Sequence, residues 1–594
     1  MPTPVFDVAN VSTDRRASRR SIHRWTVPAH HAGLIGPGSP LEITIEDVFG
    51  VPTEVFARRL PHMRATLERT AASTPDAPYV VFTDLSLTYA DTAASAARVA
   101  RYLSEEHGVS KGDRVALAAA NVPGHIAAWW AIASLGAVIV ELNGWWTTPE
   151  LRYGVELTTP RLILADEPRG ERLGEAGVPV IDLAEFDHLV GAVRPDDPTL
   201  PDTEIDEDDP MMILFTSGTT GRPKGATLSH RNLINMSMSG MLIGAVATPE
   251  GAAPSQPARA TASLLAAPLF HISGSVPLTV SAAFGTKVVF PPPGRWNEIT
   301  HLRLTEEHGI SGWSAVPTQF WRLFDHPDFD RFDTSGVTSI GGGGAVYAPE
   351  LYRLMAEKLP QAQIGTGYGM TETSGSGTRL SGVTLDTHPA SVGKPSPLCE
   401  IEIRDAQGAA LPDGEVGEIF MKSACVFIGY WDDPEATRRV LDDERWYATG
   451  DFGRFADDVL FLESRMRDLI IRGGENIYPI EIENRIVEHP DVADVCVVGV
   501  EHRQLGQEVA AAVVRHPGSA LDEAGVRSFA AATLAAFKVP AHVVFVDQLP
   551  YTATGKVLKR EVEVTVKREL RDDGVNDATW DVETSGNGHP AIRG

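Results

Sequence analysis

The sequence predicts an α/β protein of more than one domain, on three observations. Strand and helix patterns alternate through the first third of the chain, the arrangement that builds parallel sheets with helices on their faces. An apolar, strand-like run from Met211 to Phe215 leads straight into a loop of glycines and hydroxyls. At 594 residues, the chain exceeds what one compact core holds.

The elements follow in order. Residues 1–50 show no clear periodicity and are expected to be an N-terminal extension. Arg15, Arg16, Arg19, Arg20 and Arg24 form a basic cluster with no apolar segment behind it. That pattern reads as a disordered arm, less well as an organelle transit peptide, and not as a secretory signal. Asp91 is expected to cap a helix that runs toward Glu106 and closes at Gly108. Arg114–Ala118 reads as a strand, His125–Leu135 as a buried helix, and Val138–Leu142 as a second strand. An acidic, proline-bearing stretch, Pro201–Pro210, then precedes the Met211 strand. Past Asp468 the units shorten: a helix near Ile480–Glu488, strands Val492–Val500 and Val509–Val514, and a helix near Leu521–Leu534. These predict a small α+β domain. The expected division is 1–50 extension, 51–464 large domain with parallel sheets, 465–570 small domain and 571–594 flexible tail.

Composition narrows the function. Hydrophobic residues make up 43%, ordinary for a globular protein, and no apolar run is long enough to span a bilayer. A net charge of −27 argues against broad nucleic-acid or anionic-membrane binding. The three cysteines, Cys399, Cys425 and Cys496, have no paired spacing, which fits a reducing cytoplasm.

The loop after Phe215 is Thr216-Ser217-Gly218-Thr219-Thr220-Gly221-Arg222-Pro223-Lys224-Gly225. Glycines let backbone N–H groups turn toward an anion, hydroxyls donate to phosphate oxygens, and Lys224 adds a point charge. Pro223 stands where a Walker loop has its second glycine, so this is a different nucleotide-phosphate loop. A second cluster, Gly365-Thr366-Gly367-Tyr368-Gly369-Met370-Thr371-Glu372, combines room for a flat ligand, a stacking ring and a hard oxygen ligand. Four consecutive glycines, Gly341 to Gly344, precede Ala345 and suggest a ligand against bare backbone. Asp451 stands in Thr449-Gly450-Asp451, where by itself an aspartate after glycine reads as a turn residue.

The Thr216–Gly225 run resembles the phosphate loop of the adenylate-forming superfamily: acyl-CoA synthetases, peptide-synthetase adenylation domains and luciferases. The later motifs fall in that family's order, and the resemblance covers roughly residues 55–565. It implies that Thr216, Ser217, Gly218, Thr219, Thr220, Gly221 and Lys224 hold the ATP phosphates. It places Gly343, Gly344 and Ala345 beside adenine and the acyl group, Gly367 and Tyr368 on adenine, and Thr371 on a phosphate oxygen. Glu372 would bind Mg²⁺, Asp451 the ribose, and Arg465 ribose or phosphate. His271, in Pro268–Gly274, matches the acyl-pocket wall and reads as a gate; Trp313, Val316 and Met370 are further candidates there. Arg467 stands at the interdomain hinge, where the family usually has Lys or Asp. Ser464 replaces a usual Gly or Asp, and the hairpin from Asp451 to Arg465 is one residue short. Gly474 would lie along the pantetheine channel, and Asn143–Thr147, with Trp145 and Trp146, resembles an acyl-CoA synthetase run. Lys556 matches the family's last motif, where it would bridge the acid and the α-phosphate.

The implied fold is a large domain of packed subdomains with a small mobile lid. The implied reaction is ATP-dependent conversion of a small carboxylic acid to an acyl-adenylate, then transfer to coenzyme A. The rivals are transfer to an acyl carrier protein or an amine, a luciferase-type oxygenase, and a non-catalytic nucleotide-binding protein. Monomer and homodimer are equally compatible with the sequence.

Overall fold

The computed structural model describes residues 22–216, 223–247, 261–342, 349–465, 468–472, 475–502, 505–551 and 557–572. The chain forms three larger sheets in its first 465 residues and a separate sheet beyond them. The first has the spatial order 429–430, 224–229, 210–216, 138–141, 114–118, 162–165, 180–182. Strands 138–141, 114–118, 162–165, 180–182 and 210–216 run parallel, as the strand–helix alternation predicts. The connecting helix Pro123–Ser134 is buried along nearly its whole length, with Trp129 and Trp130 fully enclosed.

The second sheet has nine strands, and those from 363–369 across to 78–81 are parallel. A third, antiparallel sheet orders 23–24, 400–404, 417–422, 447–456 and 459–465. The last sheet pairs 470–472, 475–477, 492–502, 506–515 and 542–545, covered by helices Pro479–Val487, Glu523–Ala531 and Lys559–Asp572. Its core is Ile470, Ile482, Val497, Val509 and Val513. This is the small α+β unit expected from the shortened pattern.

Two local expectations are corrected. The helix Tyr89–His107 is capped by Thr88, not Asp91. Asp91 instead sits in the first turn and accepts from the Thr88 N–H, while the Thr88 hydroxyl accepts from the Asp91 N–H. This reciprocal box satisfies two orphan donors, more than a lone aspartate cap would. Gly108 closes the helix in the left-handed conformation at φ 61°, as expected. The second correction concerns residues 1–50. From residue 22 on, the chain is folded: His23 and Arg24 pair with Ile401 and Glu400, and Ile43–Val48 pairs with Val51–Phe56. The turn is Phe49-Gly50, both at positive φ. A Phe-Gly turn lacks the asparagine or aspartate that marks such hairpins in sequence, and the expected boundary at 50 falls inside it. No helix among the described residues is long and apolar enough to cross a membrane.

Candidate active site

The segment expected to hold phosphate joins two antiparallel strands. Strand Pro210–Thr216 returns antiparallel as Lys224–Ser229, with Thr216 directly opposite Lys224. A Walker loop leads into a helix; this segment leads into a strand, Lys224–Ser229. Both stems are braced by the segment after the neighbouring parallel strand. Trp146, 9% exposed, packs edge-on against Phe215 at 4.9 Å. Tyr153 donates its hydroxyl to the Pro223 carbonyl at 3.1 Å.

Lys224, Tyr430 and Glu372 form one group. The edge strand Gly429–Tyr430 pairs with Thr227 and Ala226, which sets the Tyr430 ring beneath Lys224, its ammonium 4.8 Å from the ring centroid. The Tyr430 hydroxyl donates to Glu372 Oε1 at 2.9 Å. Burial, then the negative charge of Glu372, holds the phenol above its ordinary pKa, so it stays a donor. Glu372 is 7% exposed and lies in the single turn Thr371–Thr373, which follows strand Gln363–Gly369. The turn is tied to the chain near 425: Phe427 N–H donates to the Glu372 carbonyl, and the Ser374 hydroxyl to the Cys425 carbonyl. Gly369 is obligatory here, because a Cβ would come within 2.5 Å of the Gly375 carbonyl.

The residues expected at adenosine form a second group. Tyr368, on the strand with Gly367, donates its hydroxyl to Asp451 Oδ2 at 2.8 Å, and Asp451 is 5% exposed. Asp451 is oriented by its own turn: its N–H donates to the Thr449 hydroxyl, which donates to the Ile419 carbonyl. Gly450 N–H donates to Glu418, whose carboxyl is raised by burial and by nearby Asp451. Burial, then the charge of nearby Glu372, holds the Tyr447 phenol above its ordinary pKa. Arg465 lies opposite Asp451 in the hairpin register.

His271 precedes the helix Ile272–Phe284. Its ring lies 4.9 Å from Phe270 and 5.8 Å from Trp145, and Trp145 is 45% exposed. The segment is anchored by Asn121, which donates to Ala267 and accepts from Leu269. Gly274 must be glycine, since a Cβ there would meet the Pro268 carbonyl at 2.1 Å. The two tryptophans thus divide: Trp146 is core, and Trp145 faces His271. Trp313, by contrast, is 2% exposed in the core of the second sheet, its indole N–H donated to Thr305. Of the further pocket candidates, Val316 and Met370 are partly buried.

In the small unit, an antiparallel bridge between Tyr551 and Val557 closes the loop between them. Tyr551 donates to Asp494, and Lys559 donates to Glu483 at 2.9 Å. Lys556 itself lies outside the described residues, as do Ser217, Gly218, Thr219, Thr220, Gly221, Gly343, Gly344, Ala345, Arg467 and Gly474; the side chain of Arg465 does too.

The donors fit a magnesium ion held jointly with nucleotide. Glu372 supplies a buried, hydrogen-bonded oxygen carboxylate, and the described residues contain no cluster of three His, Cys, Asp or Glu that would cage a metal alone. Mg²⁺ is typically held by one or two carboxylates plus phosphates and water.

Two family models match: AMP-binding enzyme over residues 67–431, and AMP-binding enzyme C-terminal domain over 481–556. The chain belongs to the AMP-binding enzyme family. The AMP-binding enzymes it resembles include a mitochondrial medium-chain acyl-CoA ligase of Danio rerio, 35% identical over 371 residues, 61% of this chain but 59% of the relative. A feruloyl-CoA synthase of Amycolatopsis is 34% identical over 507 residues, covering 83% of this chain and 97% of the relative. Among solved AMP-binding enzymes, ATP-bound MatB from Rhodopseudomonas palustris superposes with a TM-score of 0.75 at 30% identity, over 85% of this chain and 99% of that one. The o-succinylbenzoate CoA synthetase of Bacillus subtilis, solved with its acyl-adenylate, gives 0.73 at 29%, over 85% and 98%.

For this AMP-binding enzyme, then, Lys224, Gly367, Tyr368, Thr371, Glu372 and Asp451 come from three separate parts of the fold and meet in one region. Tyr430, Tyr153 and Glu418 belong there too and were not singled out in the sequence. Tyr430 stands in Gly429-Tyr430-Trp431, far from every glycine-rich run, and its role appears only when its strand pairs with 226–227.

Proposed function

We propose that this chain activates a small carboxylic acid with MgATP, releasing pyrophosphate, and passes the acyl group to the thiol of coenzyme A. The observation that carries the proposal is the grouping of Lys224 and Glu372 about Tyr430, the ammonium over its ring and the carboxylate on its hydroxyl, together with the Tyr368–Asp451 hydrogen bond. The hairpin loop and Lys224 hold the β- and γ-phosphates, and Thr371 takes a further oxygen. Asp451 accepts from the ribose, while Tyr368 and Gly367 border adenine. Glu372 would hold Mg²⁺, which would supply neutralisation of phosphate charge. The acid enters past His271 and Trp145, already ionised at neutral pH. One carboxylate oxygen attacks the α-phosphorus and pyrophosphate leaves. Lys556 stabilises the charge that develops, and orientation does the rest. Lid rotation about Arg467 then withdraws Lys556 and lets the thiolate attack the acyl carbon along Gly474, expelling AMP.

The test is purified enzyme with ATP, Mg²⁺ and a panel of fatty, aryl and dicarboxylic acids, read by mass for acyl-adenylate, AMP and acyl-CoA. Thioester and AMP in equal amounts support the proposal; adenylate that turns over only with a carrier protein or an amine refutes the coenzyme A step. The amine reading is favoured by one finding: amide bond synthetase McbA from Marinactinospora thermotolerans superposes with a TM-score of 0.75 at 26% identity. The arms of this assay therefore include a primary amine.

A further inference from the structure

We propose that Tyr430 is a positioning residue that holds Lys224 and Glu372 apart, so that the ammonium stays available to phosphate and the carboxylate to a divalent cation. The proposal rests on the reading of Lys224 and Glu372 as the phosphate and metal contacts. Opposite charges this close attract strongly in a partly dry site. Paired directly, each would neutralise the other before nucleotide arrived. The structure interposes a neutral ring instead. The ammonium sits 4.8 Å from its centroid, and the hydroxyl donates to Glu372 Oε1 at 2.9 Å. Among the described residues, Lys224 makes no ion pair. A cation–π contact holds an ammonium without cancelling its charge, and a neutral O–H donor holds a carboxylate without cancelling its charge either.

Tyr430 is fixed for this task. Its backbone pairs with Ala226 on the strand that begins at Lys224, and its N–H donates to the Thr437 hydroxyl at 2.9 Å. Its ring meets Phe427 edge-on at 5.0 Å, and Phe427 N–H is the donor to the Glu372 carbonyl. Ring, lysine strand and glutamate turn are thus locked into one unit. The two ends of the tyrosine also act separately, so they can be removed separately. Tyr430→Phe deletes the hydroxyl and keeps the ring; Tyr430→Leu deletes both.

The experiment uses full-length enzyme, α,β-methylene-ATP as the nucleotide and Mn²⁺ as the metal probe. Bound Mn²⁺ is followed by electron paramagnetic resonance, and nucleotide binding without metal by calorimetry in EDTA. Tyr430→Phe is expected to weaken Mn²⁺ binding in the presence of nucleotide about tenfold, the loss of one hydrogen bond to a charged group. Its metal-free nucleotide affinity should match wild type. Tyr430→Leu is expected to weaken metal-free nucleotide binding as well, about threefold or more. Melting temperatures within a few degrees of wild type would show that both variants fold. Unchanged Mn²⁺ affinity in Tyr430→Phe, or equal metal-free losses in the Phe and Leu variants, would overturn the proposal. Glu372→Gln serves as the control: if it leaves Mn²⁺ affinity unchanged, the metal reading beneath the proposal fails first.

Discussion

The large domain and the small one handle charge in opposite ways. In the large domain the carboxylates Glu372 and Asp451 each accept a hydrogen bond from a tyrosine hydroxyl, a neutral donor. In the small domain the loop that carries Lys556 is flanked by Lys559 paired with Glu483, which consumes both charges. The first arrangement orients a carboxylate with a neutral group; the second ties two charges together beside a loop. An ion pair builds a scaffold, whereas a neutral donor aims a ligand group without satisfying its charge.

The largest effect should come from the small domain's one committed functional charge. Lys556→Ala is expected to lower ATP–pyrophosphate exchange by about 10³-fold, the scale for losing a donor that acts on developing charge. Thioester formation from preformed acyl-adenylate should be largely spared. Loss of both half-reactions would erase the distinction between the domains.

Acid should separate them next. His230 and His301 are buried in the large domain and held neutral, pushed down to about 3 by loss of solvent. Unfolded, each titrates near 6.5, so below that pH the unfolded state binds protons the folded state refuses. Stability therefore falls as pH drops from about 6.5 toward 3, by about 2 kcal/mol per histidine at pH 5. The small domain's His542, half-buried, is lowered as well, for the same reason but without their depth. Urea titrations at pH 7 and 5, followed by probes in each domain, should show the large domain losing more. His301→Gln should flatten its pH dependence; an unchanged slope would contradict the assignment.

Asp451→Ala comes third, with kcat/KM for ATP expected to fall about 30-fold and the KM for the acid unchanged, since the ribose loses a charged acceptor. A comparable rise in the acid's KM would place Asp451 elsewhere. The smallest effect is expected for Lys559→Met, roughly fivefold in exchange, shrinking at 1 M salt because the wild-type pair is itself screened. A salt-independent deficit would mean that the ion pair is not what holds the loop.

The sequence revealed the composition of the site better than its joints. Glycine, hydroxyl and lysine between Thr216 and Gly225 mark a candidate phosphate loop whatever follows, because that chemistry is local. That the segment joins two antiparallel strands depends on strand pairing, which no window of ten residues contains. Thr88 was missed for a different, local reason: in a reciprocal box the acidic partner stands three residues inside the helix and reads as the cap itself. Tyr430 was invisible because one tyrosine in an edge strand carries no spacing signal, and Trp145 and Trp146, adjacent in sequence, differ only in which face of the turn meets Phe215. What failed to show around the site was contact between distant segments.

The account turns on acid activation at the α-phosphate. The most direct measurement uses acid labelled with ¹⁸O in its carboxylate, ATP and coenzyme A, with mass analysis of the nucleotide product. One ¹⁸O from the acid should appear in AMP, because the attacking oxygen stays on phosphorus when the thiol displaces it. Label found in inorganic phosphate beside ADP, or AMP free of label, would contradict the account.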